Sequence, residues 1–210
     1  MANIGTTMTE ARDDISKIKL ILKKLAIKHY YIHADGALSG SYSALIEPRP
    51  AFDFADGADS IAISGHKFIG SPMPCGVVVA KKSNRDRIAR SVAYIGSMDT
   101  TISGSRNGHS PLFLWYTIKK LGITGLKKRA QHCLETAAYT EEKLKEIGIP
   151  AWRNTNAITV NFPEPDVKIR QKWQLAAEGG WSHIICMPNI TKNQIDQLIQ
   201  EIKATEVTAI

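Results

Sequence analysis

The chain has 210 residues, 43% hydrophobic and 22% charged, which is ordinary for a globular protein and enough for one large domain or two small ones. Its longest apolar runs, residues 75–80 and 157–160, are far too short to cross a bilayer, so no membrane partner is expected. The net charge is +7, but apart from small clusters at Lys81–Lys82 and Lys127–Arg129 the positive residues are scattered and no aromatics interleave with them, so solvated helix faces are expected and no nucleic-acid partner.

In chain order, the segment Gly5-Thr6-Thr7 forms a turn at once, with no strand before it to support it. Ile15, Ile18, Leu22 and Leu25 then recur at helical spacing, with Asp13 and Asp14 in front and Lys23 and Lys24 near the end. That pattern predicts an amphipathic helix whose charges match its dipole. Residues 30–34 read as a strand ending at Asp35-Gly36, and 39–57 as a loop rich in Ser, Pro and Gly. Strands are predicted at 60–64 (SIAIS) and 76–80 (GVVVA), separated by the turn-rich stretch GHKFIGSPMP. A short basic helix is expected over 84–90 and a Gly/Ser-rich loop over 102–110.

A buried helix is expected over 112–121, and a long amphipathic one over 130–147, stopped by Gly148 and Pro150. Further strands are predicted at 151–153, 157–162 and 183–187, with helices near 167–175 and 191–203. A boundary falls near 121–128. A sheet built from residues 30–80 alone would have few strands and exposed edges, which marks part of a larger domain.

Cys75, Cys133 and Cys186 are odd in number, widely spaced and without a CxxC pair, so neither a disulfide framework nor a zinc site is expected. A reducing cytoplasm is the expected home, and residues 1–9 have neither the basic start nor the apolar stretch of a secretory signal.

Two positions carry the chemistry. Asp35 closes a strand in HADGALSG, and Lys67 follows another in SGHKFIG. In open α/β sheets, ligands gather beyond the carboxyl ends of strands. A lysine amine that holds an aldehyde as an imine and a carboxylate against a pyridine nitrogen are the two protein groups that pyridoxal-phosphate (PLP) chemistry requires. Gly36 and Ala37 would let a flat ring lie close to the backbone, Ser64 and His66 could bond a phosphate, and Gly104-Ser105 with Arg106 offers another anion-binding turn. Each also has a plainer reading: an Asp ending a strand as a turn former, a loop lysine as a surface residue, and His66 as a partner for a backbone carbonyl. His33 is expected to face a neighbouring strand. His33, Asp35 and His66 lack any metal-ligand spacing, so no metal is expected.

Taken together, YYIHADGALSG, FADGADSIAISGHKFIGSPMPCGVVVAKK and TISGSRNGHSPLFLW resemble the group II PLP-dependent decarboxylases, above all the bacterial histidine decarboxylases and the similar plant serine decarboxylases. The opening NIGTTMTEARDDI and the later AWRNTNAITVNFP fit the same family. The resemblance implies the C-terminal part of a fold type I, aspartate-aminotransferase-like large α/β domain over 1–125 and a small α+β domain over 126–210. It implies PLP as cofactor, Lys67 as the Schiff-base lysine, Asp35 as the pyridine-nitrogen partner and Ala37 as the small residue against the ring. Thr7 is implied as a cofactor contact, Ser64 and His66 as neighbours of the phosphate and imine, and Ser105 as a serine reaching the phosphate of a neighbouring subunit, hence a homo-oligomer. Tyr94 falls in the region of the family's mobile loop. Histidine going to histamine is the implied reaction, with serine decarboxylation, or a non-catalytic remnant that pairs with a full-length enzyme, as alternatives. Relatives carry a substantial segment before the Gly-Thr-Thr turn, so a truncated or split product or a misplaced start is expected, binding PLP weakly by itself.

Overall fold

The computed structural model describes residues 1–92, 96–101 and 104–208. Helix α1 (Ile15–Lys24) begins at Asp14, whose carboxylate accepts the Lys17 N–H at 3.0 Å, a cap that contributes about 1 kcal/mol. Ile15, Ile18 and Leu22 turn inward against Ile4, Ala34, Phe52 and Ile61, while Leu20, Ile21 and Leu25 face outward. The sheet beneath α1 has the order β1-β2-β3-β4, comprising β1 (Ala2–Asn3), β2 (His33–Asp35), β3 (Ser60–Ser64) and β4 (Gly76–Ala80). The first three strands are parallel and β4 runs antiparallel to β3.

Strand β1 corrects the expectation that the Gly-Thr-Thr turn lacks a strand before it: Ala2 pairs with Ala34 and Asn3 with Asp35. Two residues carry no readable alternation, so only the pairing reveals the strand. Gly5, at φ 97°, follows it, and a Cβ there would lie 2.1 Å from Ser39 Oγ. Close approach of the two turns therefore requires glycine.

A short helix α2 (Lys82–Ile88) and a hairpin of β5 (Arg90–Val92) with β6 (Ser97–Asp99) follow. The long helix α3 (His109–Glu146) is broken at Gly122, where φ is 56° and ψ −174°. Its first half is the predicted 112–121 helix, but it is not buried: Leu112, Trp115, Tyr116 and Ile118 are all exposed. Their apolar character is a demand for cover that the described residues do not meet. The second half packs Ala137 and Leu144 into the core of a smaller sheet, order β7-β9-β8, built from β7 (Thr159–Pro163), β8 (Ala177–Glu178) and β9 (Trp181–Ile185). Helices α4 (Val167–Trp173) and α5 (Lys192–Thr208) close the same core. The predicted strand at 151–153 is only a single bridge, Trp152 to Asn161. Among the described residues no helix is long and apolar enough to cross a membrane.

The two sheets are joined by a buried carboxylate. Glu10 is fully buried, and its Oε1 accepts from Arg12 Nη2 (2.7 Å), Ser39 Oγ (2.9 Å) and the Tyr42 hydroxyl. Its Oε2 accepts from the backbone N–H groups of Ile158 (2.8 Å) and Thr159 (2.9 Å) and from Thr159 Oγ1 (2.7 Å). Arg12 also donates to the carbonyls of Thr155 and Asn156. Burial pulls the Arg12 guanidinium below its ordinary pKa, and Glu10 opposes that shift. A third apolar cluster lies alongside, with Tyr42, Phe68 and Ile69 from the first half of the chain against Ala130, Cys133 and Ile158 from the second.

Removing one partner of a buried ion pair strands the other. Glu10→Ala is therefore expected to destabilise the fold by about 3–5 kcal/mol, read as a lowered urea midpoint, and Glu10→Gln by less. Unchanged midpoints would show the junction to be held elsewhere. His183 on β9 is buried with Nδ1 unpartnered among the described residues, and burial lowers its pKa. The unfolded imidazole, near 6.5, then takes up its proton at higher pH than the folded one. This residue's contribution is complete above that value and is lost as pH falls below it. The expected difference between wild type and His183→Gln is a shallower acid-side fall in stability for the variant.

Candidate active site

Side chains alternate along a strand, so His33 and Asp35 share one face of the sheet while Ala34 turns to the α1 core. Residues paired across strands lie on the same face, which adds Ser60, Ala62 and Val78 to the Asp35 side. His33 Nδ1 lies 2.7 Å from Ser60 Oγ, facing a neighbouring strand as expected. Asp35 Oδ1 accepts the Ala37 N–H at 3.1 Å. Beyond the strand ends the pairing continues: Gly36 N–H donates to the Ala62 carbonyl (2.8 Å) and Ser64 N–H to the Ala37 carbonyl (3.3 Å). Asp35, Ala37 and Ser64 thus stand together at the carboxyl ends of two parallel strands. A Cβ on Gly36 would lie 2.9 Å from Gly40 Cα, so that glycine serves the turn itself.

Lys67 sits in the turn after β3, its N–H donating to the Ser64 carbonyl at 3.4 Å. Phe68 and Ile69 anchor the turn in the core, and Arg129 of α3 donates to both of their carbonyls, at 3.2 and 2.9 Å. Half-buried Lys67 and exposed His66 line a cleft of about 400 Å³ with Thr117, Arg129, Pro188 and Asn189. Among the described residues, Lys67 Nζ has no hydrogen-bond or ion-pair partner. His66 Nδ1 lies 3.1 Å from both the N and the O of Cys75, its plainer predicted role.

The cleft of Lys67 does not include Asp35 or Ala37. A separate groove of about 650 Å³ runs over the Asp35 side of the sheet, lined by Tyr31, Ser60, Val78 and Ile88. Thr7 is exposed, and it is Thr6 that bonds its own turn, through Ala11 N–H and Thr9. Ser105 is exposed in the loop before α3. Neither is brought to the Asp35–Ser64 group by a hydrogen bond. Tyr94 lies outside the described residues. Sequence reading missed Arg129 as the support of the lysine turn; the signal was its placement four residues before buried Cys133, on the inward side of α3.

Residues 1–151 match the family model described as the pyridoxal-dependent decarboxylase conserved domain. The chain belongs to this family. A histidine decarboxylase of Mesorhizobium japonicum is 52% identical over 202 residues, 96% of this chain and 54% of the relative. One from Acinetobacter baumannii is 49% identical over 204 residues, 96% and 53% respectively. The chain thus spans about half the length of the curated relatives it matches. Among solved structures, L-methionine decarboxylase of Streptomyces sp. 590 superposes with a TM-score of 0.85 at 27% identity, over 97% of this chain and 52% of that one. Glutamate decarboxylase of Lactobacillus brevis, at 18% identity and a TM-score of 0.83, shares the fold. The fold is therefore that of the fold type I PLP-dependent decarboxylases, of which the chain covers a part, and PLP is the family's cofactor.

The donor set fits that group. Among the described residues Lys67 Nζ is unengaged, and Asp35 uses Oδ1 on its own turn, so that Oδ2 could meet a ring nitrogen. Ala37 is small and pinned beside Ser64. Cys75, next to His66, is partly accessible, whereas burial pushes the Cys133 thiol up to about 12, with Cys186 adding to the shift, and Cys186 up to about 11. A thiol reagent on the native chain is expected to modify Cys75 alone, with Cys133 and Cys186 reacting only on unfolding. Peptide mapping in which a buried cysteine reacts first would contradict this packing.

Proposed function

We propose that this chain carries the lysine-bearing part of a PLP-dependent amino-acid decarboxylase acting on L-histidine to give histamine and carbon dioxide. The observation that carries the reading is the parallel register of β2 and β3, which sets Asp35 and the Lys67 turn at adjacent strand ends. The named histidine decarboxylases at 52% and 49% identity over 96% of the chain support the substrate. The proposed division is residues 1–125 as part of the large domain and 126–210 as the small one. A cytoplasmic homo-oligomer is part of the same reading, supported by three free thiols and by the exposure of Ser105, which the resemblance implies would reach a partner's phosphate.

Bound PLP would supply the electron sink for the pair released when the Cα–carboxylate bond of the substrate breaks. Lys67 would hold the cofactor through its amine and would be the group within reach to move a proton. Asp35 would face the ring nitrogen and favour its protonated form, which would strengthen the sink. Ala37 leaves room for the ring, while Ser64, His66, Thr7 and Ser105 would hold the phosphate and neighbouring groups. Much of the positioning lies in the part of the fold that this chain does not span, so PLP is held weakly by the chain alone.

Reduction with borohydride after addition of PLP is expected to place the adduct on Lys67 and to leave Lys67→Ala unlabelled at that turn. Asp35→Asn is expected to lower histidine turnover by roughly 100-fold or more. Turnover that survives Lys67→Ala, or a preference for serine over histidine, would overturn the assignment.

A further inference from the structure

Between Ile15 and Tyr31 the chain carries five lysines and no acidic residue. Lys23 and Lys24 close the last turn of α1, where cations complement its dipole, and Lys17 lies 3.7 Å from Asp14. Neither account covers Lys19 or Lys28. The helix ends in a reversing turn, in which Ala26 N–H donates to the Lys23 carbonyl (3.1 Å) and Ile27 N–H to the Leu22 carbonyl (3.0 Å). Ala26 takes φ 54° there, a conformation that usually falls to glycine. The turn brings Ile27, Lys28 and Tyr30 beside the helix, and with Lys19, Leu20 and Lys23 they line a groove of about 880 Å³. Ala55 and Asp56 line it as well. A Cβ on Gly57, at φ 113°, would lie 2.6 Å from Lys19 Nζ, so glycine at that position lets the lysine lie flat along the chain.

Two chemistries meet in this groove. Leu20, Ile27 and Tyr30 are 58%, 42% and 45% exposed, so its lining offers apolar surface that water now covers. Beside them, Lys23 and Lys28 have no hydrogen-bond or ion-pair partner among the described residues. Asp56 does not neutralise them, because Arg49 holds it at 3.2 and 3.0 Å and the N–H groups of Phe52 and Asp53 at 2.8 and 3.0 Å. A cation would be repelled, and a small inorganic anion would leave the apolar lining wet. The volume is that of small-molecule sites. We propose that the groove binds an amphipathic monoanion, a fatty carboxylate of medium or greater chain length. Its tail lies along Leu20, Ile27 and Tyr30 and its head among Lys19, Lys23 and Lys28. Helix α1 packs on the Ala34 face of the sheet, opposite the Asp35 face, so this site is separate from the proposed cofactor site and its test reads no turnover.

The test titrates the full chain with dodecanoate below its micelle concentration, by calorimetry, and maps the amide shifts by NMR. One dodecanoate per chain is expected, with shifts confined to residues 16–30 and 55–57. Affinity should rise roughly two- to fourfold for each methylene added from octanoate to dodecanoate, and dodecyltrimethylammonium should not bind. The double variant Lys23→Glu/Lys28→Glu is expected to bind dodecanoate roughly tenfold or more weakly while melting like wild type, since both side chains are exposed. Lys24→Glu, outside the groove lining, should stay within about twofold of wild type at physiological salt. Equal binding of the cationic amphiphile, an unaffected double variant, or shifts centred on Lys67 would each overturn the proposal. So would binding to vesicles of anionic phospholipid without binding of the monomer, which would make the lysines a membrane-surface patch, or self-association of the chain through residues 16–30.

Discussion

The parallel register of β2 on β3, with Asp35 opposite Ala62, is the constraint on which the site depends. Strand side chains have a period of two, so a slip by one residue would turn Asp35 toward α1 and bring Ala34 to the open face. The register is set by burial: Ala34 and Ile61 belong to the cluster beneath α1, and a carboxylate there would be desolvated without a partner. The bonds from Gly36 to Ala62 and from Ser64 to Ala37 then carry the alignment past the strands into both functional turns.

Glu10 supplies the second constraint. Six hydrogen bonds converge on its two oxygens, from residues as far as 149 positions away. The residue adopts φ 53°, an uncommon backbone state for a non-glycine residue, which the surrounding bonds hold in place. The Gly-Thr-Thr turn, the segment after Asp35 and the start of β7 all meet on this one carboxylate. It touches no predicted catalytic group, yet it ties the turn that carries Thr7 to the loop that follows Ala37.

Much of this architecture was readable in the sequence. The runs SIAIS and GVVVA are strands with the predicted bounds, and α1 starts and stops where its cap and lysines direct. Asp35 and Lys67 follow strands as their motifs imply. What was not readable depends on distant residues. β1 is two residues long and exists only through β2. The burial of Glu10 depends on Ile158 and Thr159. The first half of α3 is apolar because something must cover it, and composition cannot distinguish cover within the chain from cover outside it. Lys67 lines a cleft that Asp35 does not share, and no pattern in the sequence foretells that separation.

The central claim is that Asp35 and Lys67 serve two ends of one ring. Nitrogen NMR of the chain loaded with PLP labelled at its ring nitrogen tests it directly. The account predicts a protonated ring nitrogen in the wild type that loses its proton in Asp35→Ala while the imine to Lys67 persists. An identical ring-nitrogen signal in both proteins would contradict it.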